Sequence, residues 1–408
     1  MNRKAHESAS LPVPDADALG ASSTLVALIQ DEIAAEGGWL PFDRYMERAL
    51  YAPGLGYYSG GARKFGWRAA DGSDFVTAPE LSPLFAQTLA RALAQALSAS
   101  GTRALMEFGA GTGRLAAGVM TALDALGVAF DSYAIVELSG ELRERQRQTI
   151  ETLAGPLAAR VQWLDALPTQ FDGVALGNEV LDAMPVQLFA RLGGRWHERG
   201  VALDEAGAFC FADRAIDDPA YTSAAGRVPQ ALLTEIDATV PADVDYVTET
   251  HAAANGFART VCTMLTRGAA FLIDYGFPRA EYYHPQRAEG TLMCHYRHRA
   301  HDDPFVYPGL QDITSHVEFT GIAEAGTEAG ADLLGFTSQA RFLMNAGITE
   351  VLAEFDPSDA AHFLPAANAV QKMVSEAEMG ELFKVIAFSR GIDSVIDAFS
   401  RGDRSHTL

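Results

Sequence analysis

The chain has 408 residues, 48% of them hydrophobic, and 53 acidic against 31 basic side chains give a formal net charge of −22. That length allows two or three domains or one domain with large insertions, and the acidic excess argues against a broad nucleic-acid or anionic-membrane surface, because a phosphate backbone selects Lys and Arg. The three cysteines, Cys210, Cys262 and Cys294, lie far apart with no CxxC spacing, which suggests neither a zinc site nor a disulfide framework and fits a reduced, cytoplasmic setting.

The opening residues, MNRKAHESASLPVPDADALG, lack the apolar centre of a secretory signal and are too acidic for a typical transit peptide, so residues 1–21 read as a disordered tail. Residues 22–100 form a helical segment: Leu25, Leu28, Ile29 and Ile33 recur at helical spacing, followed by Phe42, Tyr45, Met46 and Leu50. A glycine- and aromatic-rich loop, YAPGLGYYSGGARKFGW, leads into DFVTAPELSPLF. There Ser82 can cap, and Pro83 can open, a helix carrying Leu84, Thr88, Leu89, Ala92, Leu93 and Ala96. Gln87, Arg91 and Gln95 interrupt that helix on one side, and no stretch approaches the ~18 apolar residues of a membrane span, so membrane insertion is not expected.

Strands and helices alternate over residues 101–185. ALMEF is a short apolar strand, Arg114–Leu126 a helix with Leu115, Val119, Leu123 and Leu126 inward, YAIVE a second strand and Gly140–Leu153 a second helix. RVQWL and GVALGNEV supply a third and fourth strand. This alternation means an α/β fold with a parallel, doubly wound sheet and a ligand crevice at the strands' carboxyl ends. Turn signals at LGG and DEAG make residues 186–245 an antiparallel insertion. The core continues over 246–277 as a helix from about Thr248 to Thr266 and a buried strand, GAAFLIDYG. Residues 278–347, rich in His, Tyr and Arg, read as a second insertion, and 348–408 supply C-terminal helices and a last core strand, LFKVIAFSRG.

The stretch FGAGTG joins the first strand to its helix. A dinucleotide fingerprint needs G-x-G-x-x-G, and the third position here is Arg114; the spacing is instead E-x-G-x-G-x-G, from Glu107 through Gly109 and Gly111 to Gly113. An acid just before the loop would repel a pyrophosphate but suits a ligand with an ammonium and a sulfonium, as in S-adenosylmethionine. Glu137 ends the second strand, where a carboxylate can accept both ribose hydroxyls. Asp165, just past VQWL, is placed to meet an adenine amino group, with Leu164 or Trp163 flanking the ring. Thr77 and Glu80 precede a helix start and can fold over the cofactor, offering backbone donors to its carboxylate.

GNEVLDAMP puts Asn178 and Glu179 at the end of the fourth strand and Asp182 about one turn later. Polar residues directly after a buried strand are costly unless they meet a ligand or cap. Glu179 and Asp182 can orient a guanidinium or amine and take its proton; the alternative for Asp182 is the N-cap of a following helix. Asp274 and Tyr275 end another crevice-facing strand. His295, Tyr296, Arg297, His298 and His301 lack metal-ligand spacing on a helix and read as a substrate loop, with no metal expected.

Nine blocks in this order resemble the MidA-like S-adenosylmethionine-dependent methyltransferase family, to which the mitochondrial complex I assembly arginine methyltransferase is related. They are PFDRYMERALYAPGLGYY, DFVTAPELSPLF, MEFGAGTGRLA, VELSGELRERQ, GNEVLDAMP, LIDYGF, GTLMCHYRHR, PGLQDITSHVEF and MGELFKVIAFSRG. The resemblance implies a class I methyltransferase (Rossmann-like) fold with S-adenosylmethionine over Gly109–Gly113, Glu137 on the ribose, the TAPE and NEVLDAMP blocks lining the site, and residues 290–319 as the acceptor-facing lobe. It also implies a protein substrate, such as a respiratory-complex subunit, methylated on arginine. Two other functions stay open on sequence alone: a non-catalytic assembly protein that keeps the cofactor for stability, and an NAD-dependent oxidoreductase, against which Arg114 counts.

Overall fold

The computed structural model describes residues 11–60, 77–218, 221 and 227–408, and the chain divides into two compact units. Thr77–Met184, His251–Arg287 and His316–Leu408 form one; Met1–Val76, Pro185–Thr250 and Ala288–Ser315 form the other.

The first unit is built on an eight-stranded sheet. Its order is Asp332–Ser338, Phe383–Arg390, Leu265–Phe277, Phe171–Asn178, Ala104–Phe108, Ser132–Val136, Val161–Leu164, with Val317–Glu318 beside the end of Leu265–Phe277. Neighbours from Leu265–Phe277 to Val161–Leu164 are parallel, but Phe383–Arg390 runs antiparallel to both strands that flank it. The expected parallel sheet is thus a mixed one within the α/β class. The reason is connectivity: Asp332–Ser338 ends at the carboxyl edge, the helices that follow pack on the sheet face through Phe342, Ile348 and Val370, and the last strand enters from that same edge.

Successive residues of each strand face opposite helix layers. Phe271 and Ile273 join Leu105, Val174 and Leu176 in a core with Leu89 and Leu93 of helix Pro83–Ser100 and Leu115 and Val119 of helix Arg114–Ala125. Leu272 and Ile386 face the other way, onto Ala258 and Cys262 of helix Ala252–Met264 and Ile322 of helix Phe319–Glu328. Ser82 caps as its position implies, its Oγ accepting from the Leu84 amide at 3.2 Å with Pro83 next in the chain. Leu126, expected inward, is 47% exposed, because the helix stops at Ala125 and Leu126 becomes its C-cap.

The second unit holds an antiparallel sheet of Leu40–Pro41, Gln187–Leu192, Arg195–Leu203, Phe209–Ala215 and Tyr246–Thr250, and a small sheet of Met293–Tyr296, Arg299–His301 and Asp312–Thr314. Its first helix spans Ala16–Ala35, capped by Asp15, whose Oδ1 accepts from the Ala18 amide at 2.8 Å. Residues 16–21 therefore belong to a helix and not to a disordered tail. The helix expected from Thr248 begins at Ala252; the preceding YVTET, with its β-branched residues, pairs with Gln187–Leu192 as a strand. The second excursion from the core is also shorter than expected, since His316 onward lies in the first unit. The GARKFGW part of the aromatic loop and DFV of DFVTAPE lie outside the described residues. Among the described residues no helix is long and apolar enough to cross a membrane.

Candidate active site

The strand Ala104–Phe108 leads into Gly109–Gly113 at the carboxyl edge of the sheet, and helix Arg114–Ala125 follows. Gly109, Gly111 and Gly113 all adopt left-handed backbone, with φ of +61°, +52° and +85°, a region costly for residues with a Cβ. Packing adds a second demand: a Cβ at Gly109 would stand 2.8 Å from Val180 Cγ1, and one at Gly113 3.1 Å from Gln146 Cα. Glu80 braces the loop, accepting from the Thr112 hydroxyl and pairing through Oε2 with Arg114 Nε at 3.2 Å. Arg114, which stands where a dinucleotide loop has glycine, is thus used to hold Glu80. Thr77 is the N-cap residue of the short helix Ala78–Leu81 that carries Glu80, and its side chain makes no capping bond.

Glu107 differs from the charged carboxylate expected beneath this loop. It is 1% exposed, and its Oε2 accepts from the Tyr133 hydroxyl at 2.5 Å. Burial pushes its carboxyl up to about 7, with the Tyr133 bond opposing, so it keeps its proton to a much higher pH than an ordinary glutamate. Tyr133 comes from the neighbouring strand, opposite Leu105.

Glu137 follows the strand Ser132–Val136. Its Oε1 accepts from the Ser139 amide at 2.9 Å and its Oε2 from Gln146 Nε2 at 3.1 Å, one donor per oxygen among the described residues, which leaves acceptor capacity on each. Gln146, which the sequence reading passed over, is fully buried and ties the site together: Nε2 also reaches the Gly111 carbonyl at 3.2 Å, and Oε1 accepts from Trp163 Nε1 at 2.9 Å. In the sequence only the glycine at position 113 signals that another backbone comes close there. Asp165 has an 87% exposed side chain and pairs with Arg143 at 2.6 Å. Arg143 in turn donates to the Glu137 and Leu164 carbonyls. Asp165 therefore orients Arg143 between two strand ends, in place of the free carboxylate expected to meet adenine.

Asn178 ends the central strand Phe171–Asn178. Its Nδ2 donates to Glu179 Oε1 at 3.1 Å, while its Oδ1 is buried with no hydrogen-bond partner. Glu179 has φ +53°, a left-handed conformation that costs a non-glycine residue on the order of 1–3 kcal/mol. The Glu179 amide still donates to the Ile273 carbonyl at 2.8 Å, so the strain turns the side chain without releasing the strand. Asp182, 6% exposed, accepts from the Tyr275 hydroxyl at 2.6 Å. No helix follows it, which removes the capping alternative. Asp274 is fully buried: Oδ2 accepts from the Leu181 and Asp182 amides at 2.8 and 3.2 Å, and Oδ1 from the Tyr275 amide at 2.9 Å. Asp274 thus shapes the turn that presents Asp182. Burial raises the pKa of both acids, and for Asp274 the Asp182 charge raises it further.

The histidine-rich group belongs to the other unit. His295 and His301 lie on paired strands, and Arg297 and His298 form the turn between them with φ of +48° and +59°. Burial lowers the pKa of both His295 and His301, and no group of three His, Cys, Asp or Glu is placed to hold a metal ion among the described residues.

A glycine cradle, a carboxylate with spare acceptor capacity, an orphaned amide oxygen and a pair of buried acids converge at one sheet edge. Such a donor and acceptor set fits a nucleoside-bearing cation. A family model for S-adenosyl-L-methionine-dependent methyltransferases matches residues 88–337. The chain is 71% identical to a Burkholderia thailandensis protein whose crystal structure is bound to S-adenosyl-homocysteine, with a TM-score of 0.93 over 98% of this chain and all of that one. The protein arginine methyltransferase NDUFAF7 homolog, mitochondrial, of Caenorhabditis elegans is 26% identical over 344 residues, 79% of this chain and 76% of the relative. The Mus musculus protein arginine methyltransferase NDUFAF7, mitochondrial, is 26% identical over 373 residues, 84% and 79% of the two chains.

Proposed function

The chain belongs to the family of S-adenosyl-L-methionine-dependent methyltransferases, and on that premise we propose that it methylates a protein arginine by direct in-line transfer to a guanidinium nitrogen. One observation carries the acceptor half: the central strand ends at Asn178, Glu179 follows it, and Asp182, in the turn three residues further on, has the Tyr275 hydroxyl on its carboxylate. Two carboxylates at the edge of a buried strand suit the planar N–H fork of a guanidinium. Relatives named as protein arginine methyltransferases support the same acceptor, and the resemblance makes a respiratory-complex subunit the first partner to look for.

In this reading Glu179 orients the acceptor nitrogen, held in position by its left-handed backbone. Asp182 takes the proton that methylation releases, its raised pKa making it a better base than an ordinary aspartate. Asn178 presents its amide oxygen to the bound ligands. S-adenosyl-L-methionine, when bound, supplies an electrophilic methyl group. Gly109, Gly111 and Gly113 bring backbone close to it, Glu137 accepts from its ribose hydroxyls, and Glu107 lies beneath the loop as a proton-sharing acid. Glu80 braces the loop from the short helix that Thr77 opens, and Asp165 acts through Arg143.

The test is incubation of the purified protein with trideuteromethyl-labelled S-adenosylmethionine and a lysate from a strain lacking the gene, followed by mass spectrometry. Label on arginine of one or a few proteins is the expected result. Binding of S-adenosyl-homocysteine with no protein labelled would favour the non-catalytic assembly role instead.

A further inference from the structure

His251 stands at the N-terminus of helix Ala252–Met264 and is 4% exposed, yet among the described residues neither ring nitrogen has a hydrogen-bond partner. Its side chain makes no capping bond, and its ring lies edge-on to Tyr282 at 5.2 Å. One turn along, Asn255 donates its amide to the His251 carbonyl at 2.9 Å and leaves its own Oδ1 buried without a partner. An unpaired buried polar group loses its hydration without compensation, so two side chains orphaned in adjacent turns need an explanation.

Their place in the fold supplies one. The helix precedes the strand Leu265–Phe277 and runs back along it, so its N-terminus opens at the carboxyl edge of the sheet. Phe257 of this helix packs on Phe108, at 5.2 Å between ring centroids, directly before Gly109. His316, whose charge acts on His251, stands edge-on to Tyr275 at 5.3 Å, and the Tyr275 hydroxyl holds Asp182. His251 therefore lies in the same region of this unit as the acid assigned to the acceptor. Burial, with the His316 charge, pushes its pKa down to about 3, so the ring is neutral and offers one N–H donor and one lone-pair acceptor.

That pairing selects the ligand. A carboxylate has no donor for Asn255 Oδ1, and an ammonium or guanidinium has no acceptor for the imidazole N–H; a peptide group has both. We infer that His251 and Asn255 hydrogen-bond a main-chain peptide group of the methyl acceptor, which makes them acceptor-binding residues; the inference rests on the protein-methylating function proposed above.

The experiment compares the full-length protein with His251→Phe, which keeps the packing on Tyr282, and His251→Gln, which restores a donor and an acceptor. Deletion-strain lysate protein is the varied acceptor and labelled S-adenosylmethionine the donor. His251→Phe should raise the apparent KM for lysate protein about tenfold, leave the S-adenosyl-homocysteine Kd within about twofold, and raise Tm in the absence of acceptor, because the orphaned group is gone; His251→Gln should recover much of the KM. An unchanged KM with a lowered Tm would mean that a structural water satisfies the ring and would overturn the assignment alone. A wild-type protein that binds S-adenosyl-homocysteine but labels nothing would overturn the protein-methylating reading and the assignment together.

Discussion

Beneath the glycine loop, Glu107 has the Tyr133 hydroxyl on one carboxylate oxygen, and burial raises its pKa from 4.5 to about 7. The folded chain therefore holds this proton more tightly than the unfolded chain, and the stability of the ligand-free protein falls as pH rises from about 4.5 to about 7, by up to about 3 kcal/mol. Glu107→Gln removes that dependence. Urea denaturation should find the variant gaining on the wild type between pH 5 and pH 8, and a difference that does not move with pH would contradict the raised pKa. At the strand end, Glu179→Gln keeps size and hydrogen bonding but loses charge. S-adenosyl-homocysteine affinity should hold while methyl transfer falls by about a hundredfold; equal transfer would take Glu179 out of the mechanism. Glu137 and Glu179 were legible in the sequence because a carboxylate right after an apolar strand has few bland uses. The raised pKa of Glu107 was not, because it follows from burial that the strand's neighbours in the sheet supply.

The glycine loop and the turn after the central strand are the elements that set the site's shape. Gly109→Val would force a β-branched residue to φ +61° and set its Cβ 2.8 Å from Val180 Cγ1. Calorimetry should find S-adenosyl-homocysteine binding lost, with far-ultraviolet circular dichroism unchanged; normal affinity would mean that the loop does not cradle the ligand. Asp274→Asn turns an amide N–H₂ toward backbone amides that now donate to the carboxylate. It should lower stability by about 1–3 kcal/mol in urea titrations, with a loss of activity that follows the loosened Asp182 turn. The loop could be read from the sequence because three glycines two apart between a strand and a helix answer a backbone demand. Asp274 could be read only as a crevice-facing acid, since its three amide donors come from Leu181, Asp182 and its own neighbour Tyr275, two of them about ninety residues away. Local pattern also misjudged YVTET, where pairing with a strand some sixty residues upstream prevails over a helical continuation.

Across the whole molecule, the alternation of strands and helices gave the α/β class and the edge where the site lies, because that edge follows from topology alone. It did not give the direction of Phe383–Arg390, which depends on where the C-terminal helices leave the chain, nor the grouping of the N-terminal segment with parts of both excursions into a separate unit. His251 and Asn255 were invisible for a related reason: HAAAN is an ordinary helix start until the neighbours that bury it are known. The carboxyl edge of the sheet is matched to a nucleoside-bearing cation and not to a diphosphate. Isothermal titration of the wild-type protein with S-adenosylmethionine, S-adenosyl-homocysteine and NAD, repeated on Glu137→Ala, tests this most directly. The first two should bind one per chain, NAD should give no heat, and Glu137→Ala should weaken S-adenosyl-homocysteine by about tenfold or more. Saturable NAD binding, or an affinity indifferent to the loss of Glu137, would contradict it.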